Sequence, residues 1–179
     1  MPGCFTTSVV LVTLFVATTA TSATGNATTA APTRKPWPKS YAHQHAGSCN
    51  RNRLPPSAMP GYKENIHVLN TVQTTPAGAI QNALATWWSE LARFGMRSNM
   101  MFYPSEARRG ARSVMNWSKM AWWNNIILGC SVQNCGRYYL TVCMYRPGGN
   151  FFNQYVYQVG AVCSGCPRGQ CDGQALCRW

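Results

Sequence analysis

The clearest alternating pattern in the chain runs from Tyr138 to Tyr145, Y-Y-L-T-V-C-M-Y, and is β-branched, aromatic and apolar throughout. The Pro147-Gly148-Gly149 turn ends it, so the pattern predicts a strand, the central one of a small sheet. With a period of two, Leu140, Val142 and Met144 point one way, and Tyr139, Thr141, Cys143 and Tyr145 point the other. The clearest helix lies upstream, where Ile80, Leu84, Trp87, Leu91 and Phe94 recur at four-three spacing as one apolar stripe. Thr75 caps it, Pro76 suits its first turn, and Gly95 is its stop signal. Glu90 falls at the edge of that stripe, where it can look into a cleft beside the packed face. Tyr41 to Cys49 is compatible with a second helix, while Trp117 to Trp123 has strand character. Residues 50 to 74, with Pro55-Pro56 and Pro60-Gly61, read mostly as loop.

The ends of the chain follow other rules. Ser8 to Ala17 is a short apolar core followed by small residues through Ala23, which reads as a signal peptide over residues 1–23. It is too short for a stable membrane span; its flank lacks Lys or Arg, and a membrane anchor is the rival reading. Residues 24–40 form a Thr-, Ala- and Pro-rich stretch with Trp37 as its one large apolar residue, so a flexible arm is expected. Asn26-Ala27-Thr28 is a glycosylation sequon there, and an unmodified tail is the plain alternative. A folded domain over 41–160 and a cysteine-rich tail over 161–179 complete the division.

Charge and cysteine content narrow the class. The 179 residues carry sixteen Lys and Arg against four Asp and Glu, a net charge of +12. Arg93, Arg97, Arg108, Arg109 and Arg112 face Glu106 alone in one stretch. Such a charge attracts polyanions; outside a cell these are sulfated glycans, acidic receptors and anionic lipid headgroups, and not nucleic acid. The plainer reading is a well-solvated surface. Nine cysteines in so short a chain point to disulfides made in an oxidising compartment. Loss of Cys4 with the leader leaves eight, an even number that fits full pairing: Cys49, Cys130, Cys135, Cys143, Cys163, Cys166, Cys171 and Cys177. The last four lie within fifteen residues, a segment with too little core to fold unstapled. Its C-x-x-C could be a redox pair, but the neighbouring cysteines favour structure.

Two runs carry a family resemblance. Met115-Asn116-Trp117-Ser118-Lys119-Met120-Ala121-Trp122, followed by Gly129-Cys130, resembles the first signature of the CAP superfamily, the cysteine-rich secretory, antigen and pathogenesis-related proteins with an SCP domain. In that family the run usually reads Gly-His-aromatic-Ser/Thr-Gln-apolar-apolar-Trp. Val142-Cys143-Met144-Tyr145-Arg146-Pro147-Gly148-Gly149-Asn150-Phe151 resembles the second signature, and Lys63-Glu64-Asn65-Ile66 a further G-E-N-I/L element. Ala42, Ala46 and Cys49 fit the family's A-Q-x-x-A-x-x-C helix. The cysteine-rich tail is similar to the hinge of secreted nematode, venom-allergen-like members. The resemblance covers roughly residues 41 to 179 and implies an α+β fold, a three-layer α-β-α sandwich with a disulfide-stapled hinge, here lacking the family's front helix. It also implies bridges Cys49 to Cys130 and Cys135 to Cys143, with two more inside the tail.

The resemblance further implies a central cleft, which in many members holds two His and two Glu and in some a divalent metal. Imidazoles and carboxylates are good zinc ligands, and a water between them can be activated. Carried over residue by residue, the acids persist as Glu64 and Glu90, while Arg53 and Asn116 stand where the histidines belong. Arginine has no lone pair to offer a metal and would instead form ion pairs with the acids. His43, His45 and His67 read as surface residues; zinc ligation by His43 and His45 is the remote alternative. No nucleophile stands beside a base. Asn116-Trp117-Ser118 is a second sequon, expected to stay unmodified if Asn116 lies inside a sheet. The expectation is a secreted, extracellular, non-enzymatic interaction module with no cofactor and no metal. Its implied partners are an extracellular protein or a lipid such as a sterol or fatty acid. The alternatives are a metal-dependent hydrolase of the same fold and a basic protein that binds sulfated glycans.

Overall fold

The computed structural model describes residues 38–167, 170–173 and 177. The leader, almost all of the Thr-rich arm and the Asn26 sequon lie outside the described residues. The described residues from Pro38 to Val159 fall in one compact unit, and the described residues from Gly160 onward in another.

The larger unit is built on strand β4, Tyr139–Arg146, which is central in an antiparallel sheet of order β1-β4-β3. β1 spans Lys63–Leu69 and β3 spans Ile127–Asn134. Because β4 is covered on both faces, Tyr139 through Tyr145 are all buried, which is why the strand has no polar face. Its Leu140, Val142 and Met144 pack with Ala42 and Ala46 of helix α1, Pro38–Gly47. On the other face, Cys143 and Tyr145 pack with Ala83 and Trp87 of helix α2, Pro76–Phe94. Helix, sheet and helix are therefore three layers, as the sequence led us to expect.

Helix α2 forms as its caps dictate. The Thr75 hydroxyl accepts from Gly78 N at 3.1 Å, and Gly95 closes the other end at φ 65°. Its innermost line is Ala79, Ala83, Trp87 and Glu90, so the interface is rotated slightly from the stripe of larger apolar residues, of which Trp87 is buried and Ile80, Leu84, Leu91 and Phe94 are half-buried. A strand pair, β2 (Met101–Phe102) with β5 (Gln154–Tyr155), and short helix α3 (Pro104–Ala107) follow. Helix α4, Met115–Met120, completes the unit and buries Trp117 against Phe102, Val114, Trp122 and Val156.

Several expectations are corrected. Trp117 to Trp123 begins as helix α4 and not as a strand, because long-range partners hold its ends. Lys63 to Leu69, read as loop, is an edge strand whose ladder partner is β4. Residues 38–40, assigned to the arm, open α1. The bridges are Cys49–Cys135 and Cys130–Cys143, not the pairing the resemblance implied. Register explains this: Cys130 lies directly opposite Cys143 on the α2 face, whereas Cys135 packs on the α1 face within reach of Cys49, two residues past the end of α1. In the tail unit the bridges are Cys163–Cys171 and Cys166–Cys177.

Candidate functional site

The two signature runs meet as one physical unit. After β4 the chain turns through Gly148 and Gly149, both at positive φ, and a Cβ on Gly149 would sit 2.6 Å from the Trp122 ring. That close approach lets Asn150 reach α4. Its Nδ2 donates to the Met115 carbonyl at 3.0 Å, and its Oδ1 accepts from Ser118 Oγ at 2.7 Å. From the sheet side, Asn65 Nδ2 donates to the Asn116 carbonyl at 2.9 Å. The second run thus clamps the helix made by the first.

Glu90 sets the other end of α4. A short helix leaves its first N–H groups without partners, and Val114 supplies no side-chain cap. Glu90 Oε2 accepts from both Asn116 N and Trp117 N at 2.9 Å, while Oε1 accepts from Asn116 Nδ2 at 2.6 Å. The buried carboxylate is therefore fully engaged as a helix cap delivered from α2. Glu64, on β1, is equally occupied: Oε1 accepts from Leu54 N at 2.8 Å, and Oε2 meets His45 Nδ1 at 2.9 Å.

Arg53 and Asn116 do meet. Arg53 Nη2 donates to Asn116 Oδ1 at 3.3 Å, and Nη1 donates to the Glu64 carbonyl, also at 3.3 Å. The expected ion pairs between Arg53 and the two carboxylates are replaced by these bonds to neutral oxygens. Asn116 sits on a helix and not in a sheet, and its amide bridges Arg53 to Glu90.

Two participants escaped the sequence reading. His45, taken for a surface residue, is buried beside Glu64, contrary to that expectation. Its Nε2 can only donate to the Asn50 carbonyl, at 3.1 Å, and its Nδ1 shares a proton with Glu64, so no ring lone pair is left for a metal. His43 is exposed, and His67 is half-buried with Nε2 2.8 Å from Asn82 Oδ1. The second is Lys119, standing where the family signature has Gln and only 3% exposed, with Nζ donating to the Glu64 carbonyl at 2.6 Å. Burial pushes its pKa down to about 7, the Arg53 charge pushes the same way, and Glu64 and Glu90 pull against both. The spacing of Ala42, His45 and Ala46 on one helix face was a usable signal for the histidine; nothing local marked the lysine.

A cleft of about 390 Å3 opens beside this network, lined by Arg53, Thr86, Glu90, Arg93, Ser113 and Asn116 among others. Among the described residues, no three His, Cys, Asp or Glu side chains converge as metal ligands. The donor set does not fit the family's divalent cation: one arginine and one amide occupy the imidazole positions, and both oxygens of each carboxylate already accept hydrogen bonds. Among the described residues, no helix is long and apolar enough to cross a membrane.

Comparison with known proteins places this geometry. The family model described as CAP, Cysteine-rich secretory protein family, matches residues 39–145. The chain is 30% identical over 128 residues to Ancylostoma secreted protein of Ancylostoma caninum, covering 72% of this chain and 30% of that one. It is 25% identical over 149 residues to human (Homo sapiens) GLIPR1-like protein 1, covering 80% of this chain and 56% of the relative. It thus spans only about a third to a half of such relatives. Among solved structures, the crystal structure of NaASP2 with Zn2+ matches with a TM-score of 0.70 at 29% identity, covering 79% of this chain and 72% of that one. BmVAL-1 matches with a TM-score of 0.67 at 27% identity, covering 79% and 73%. With the three layers, both signature runs and the family model in agreement, the chain belongs to the cysteine-rich secretory protein (CAP) family.

Proposed function

We propose that this chain is a secreted, non-catalytic member of the family that recognises an extracellular ligand. The observation that carries the reading is that both oxygens of each cleft acid are already tied to the scaffold. Glu64 is held by His45 and Leu54 N, and Glu90 by three donors from α4, so neither carboxylate is free to take a proton from substrate or a lone-pair share in a metal. The relatives support secretion, since they include a secreted protein and a venom allergen. The surface supports recognition. Trp123, 67% exposed, and Tyr155, 40% exposed, border a shallow recess of about 520 Å3 with Asn153, Gln154 and Gln158. Aromatic rings among amides are the composition of protein-binding surfaces.

The test is metal titration of the purified protein after exchange into EDTA and back. No stoichiometric Zn2+ uptake is expected by calorimetry, and no chelator-sensitive hydrolysis of peptide or ester substrates. One equivalent of tightly bound zinc, or activity lost on chelation, would overturn the reading in favour of a hydrolase.

A further inference from the structure

The same cleft is rich in cationic donors with no free carboxylate to meet them, and that asymmetry suggests a ligand. Between residues 38 and 159 there are three acidic side chains, Glu64, Glu90 and Glu106, and all three are buried. Twelve Lys and Arg lie in that span: eight are exposed, Lys63, Arg109 and Arg146 are partly buried, and only Lys119 is fully buried. The surface of this unit therefore presents cations without a single exposed carboxylate. Along the cleft wall, three side chains keep hydrogens free to donate, while Thr86, whose hydroxyl is spent on the Asn82 carbonyl, has none. Arg53 uses two of its five N–H groups, on the Glu64 carbonyl and on Asn116. Arg93 leans over the Phe94 ring, 4.8 Å from its centroid, with its N–H edge free. Ser113 Oγ accepts from Met115 N at 3.0 Å, which leaves its hydrogen to donate. Glu90, the one anion lining the cleft, has its oxygens turned to α4.

Two guanidinium groups and a hydroxyl facing one recess make a site for an oxyanion. Resting on the metal-free reading above, we propose that this cleft binds a sulfate ester of an extracellular glycan, with Arg53 and Arg93 as its contacts. The positive field of the remaining surface concentrates the polyanion, and the cleft volume fits a substituted sugar unit rather than a long chain segment.

The experiment is calorimetry on the full secreted chain, in EDTA, with three probes: a sulfated heparin disaccharide, its desulfated counterpart and inorganic phosphate. One-to-one saturable binding of the sulfated disaccharide is expected, at least about tenfold tighter than either of the other probes. Arg53→Gln and Arg93→Gln are each expected to weaken it about tenfold or more, while Arg137→Gln, on an exposed turn outside the cleft, changes it less than about twofold. Thermal melts confirm that the variants fold. Equal weakening by Arg137→Gln would reduce the effect to bulk charge and overturn the site. Equal binding of phosphate or of the desulfated sugar would overturn the ligand class. Binding that needs added zinc would instead overturn the metal-free reading, and the arginine variants would still decide the clamp.

Discussion

Lys119 gives the sharpest test of how the interior is wired. In the fold its amine, buried beneath Arg53, titrates at about 7; in the unfolded chain it returns to 10.5. Between those values the unfolded state holds a proton that the folded state has released. Stability therefore rises with pH from about 7 towards 10.5 and is lost as pH falls back through that window. A full proton of difference is worth about 1.4 kcal/mol per pH unit, so roughly 2–3 kcal/mol accrues between about pH 7.5 and 9.5. Lys63, whose pKa burial also lowers, adds slope of the same sign. Burial raises the pKa values of Tyr145 and Tyr157, which oppose it only near and above pH 10. Comparison with Lys119→Met cancels those shared contributions and keeps the length of the side chain. Urea unfolding followed by tryptophan fluorescence is the assay. For a slope of about 1–3 kcal/mol per molar urea, the wild-type midpoint should climb about 1–2 M further than the variant's across that pH range. Midpoints that run parallel with pH would refute the assignment of a neutral interior amine.

Three further outcomes follow from the same network. His45→Ala strips Glu64 of its buried partner and should cost about 3–5 kcal/mol in urea unfolding, while adding Glu64→Met should restore part of that loss, since the two act as a pair. Peptide mapping should find Asn116 without a glycan, because its Nδ2 is bonded to Glu90 at 2.6 Å and the sequon's Ser118 is buried against Asn150; an occupied Asn116 would contradict the helix placement. The double variant Arg53→His, Asn116→His should still take up no Zn2+ by calorimetry, because Glu64 stays bonded to His45 and Leu54 N and Glu90 to the first turn of α4; one equivalent of bound zinc would refute the claim that the engaged carboxylates keep the metal out.

What could be read in the sequence was what neighbours in sequence decide. α2 announces itself because Thr75, Pro76 and Gly95 act locally, and β4 because β-branched, aromatic and other apolar residues run without a break from Tyr139 to Tyr145, as a strand buried on both faces requires. α4 was misread because Trp117, Trp122 and Trp123 have strand preference, and that preference is overridden by Glu90 and Asn150, which lie 26 and 35 residues from the backbone groups they bind. β1 was hidden because its most buried residues, Glu64 and Asn65, are polar, and their burial is made tolerable by His45, Leu54 and Asn116 from elsewhere. Cysteine spacing could not choose the bridges, since face and register decide them. Of the cleft residues, Glu90 was marked by helical periodicity as well, while Arg53, Glu64 and Asn116 were found through the family resemblance alone, a route that gave positions but not the partners they have.

Those partners change what the two replacements mean. Had Arg53 simply neutralised Glu64 and Glu90, each substitution would stand by itself as lost chemistry. Instead the guanidinium bonds to an amide oxygen, and the same amide donates to Glu90, so positions 53 and 116 act together. An aspartate at 116 would keep the bond to Arg53 but repel Glu90, and a leucine would leave both neighbours without a partner. Asparagine answers both, and in doing so fixes the start of α4 to α2. The cleft acids have become parts of the scaffold, and Glu106 repeats the pattern: its carboxylate holds Arg109 at 2.8 Å, and Arg109 in turn donates to the carbonyls of Phe94 and Gly95 that end α2. Each buried acid in this unit therefore secures a helix end or a buried neighbour, and the exposed cations are left to face whatever the protein meets.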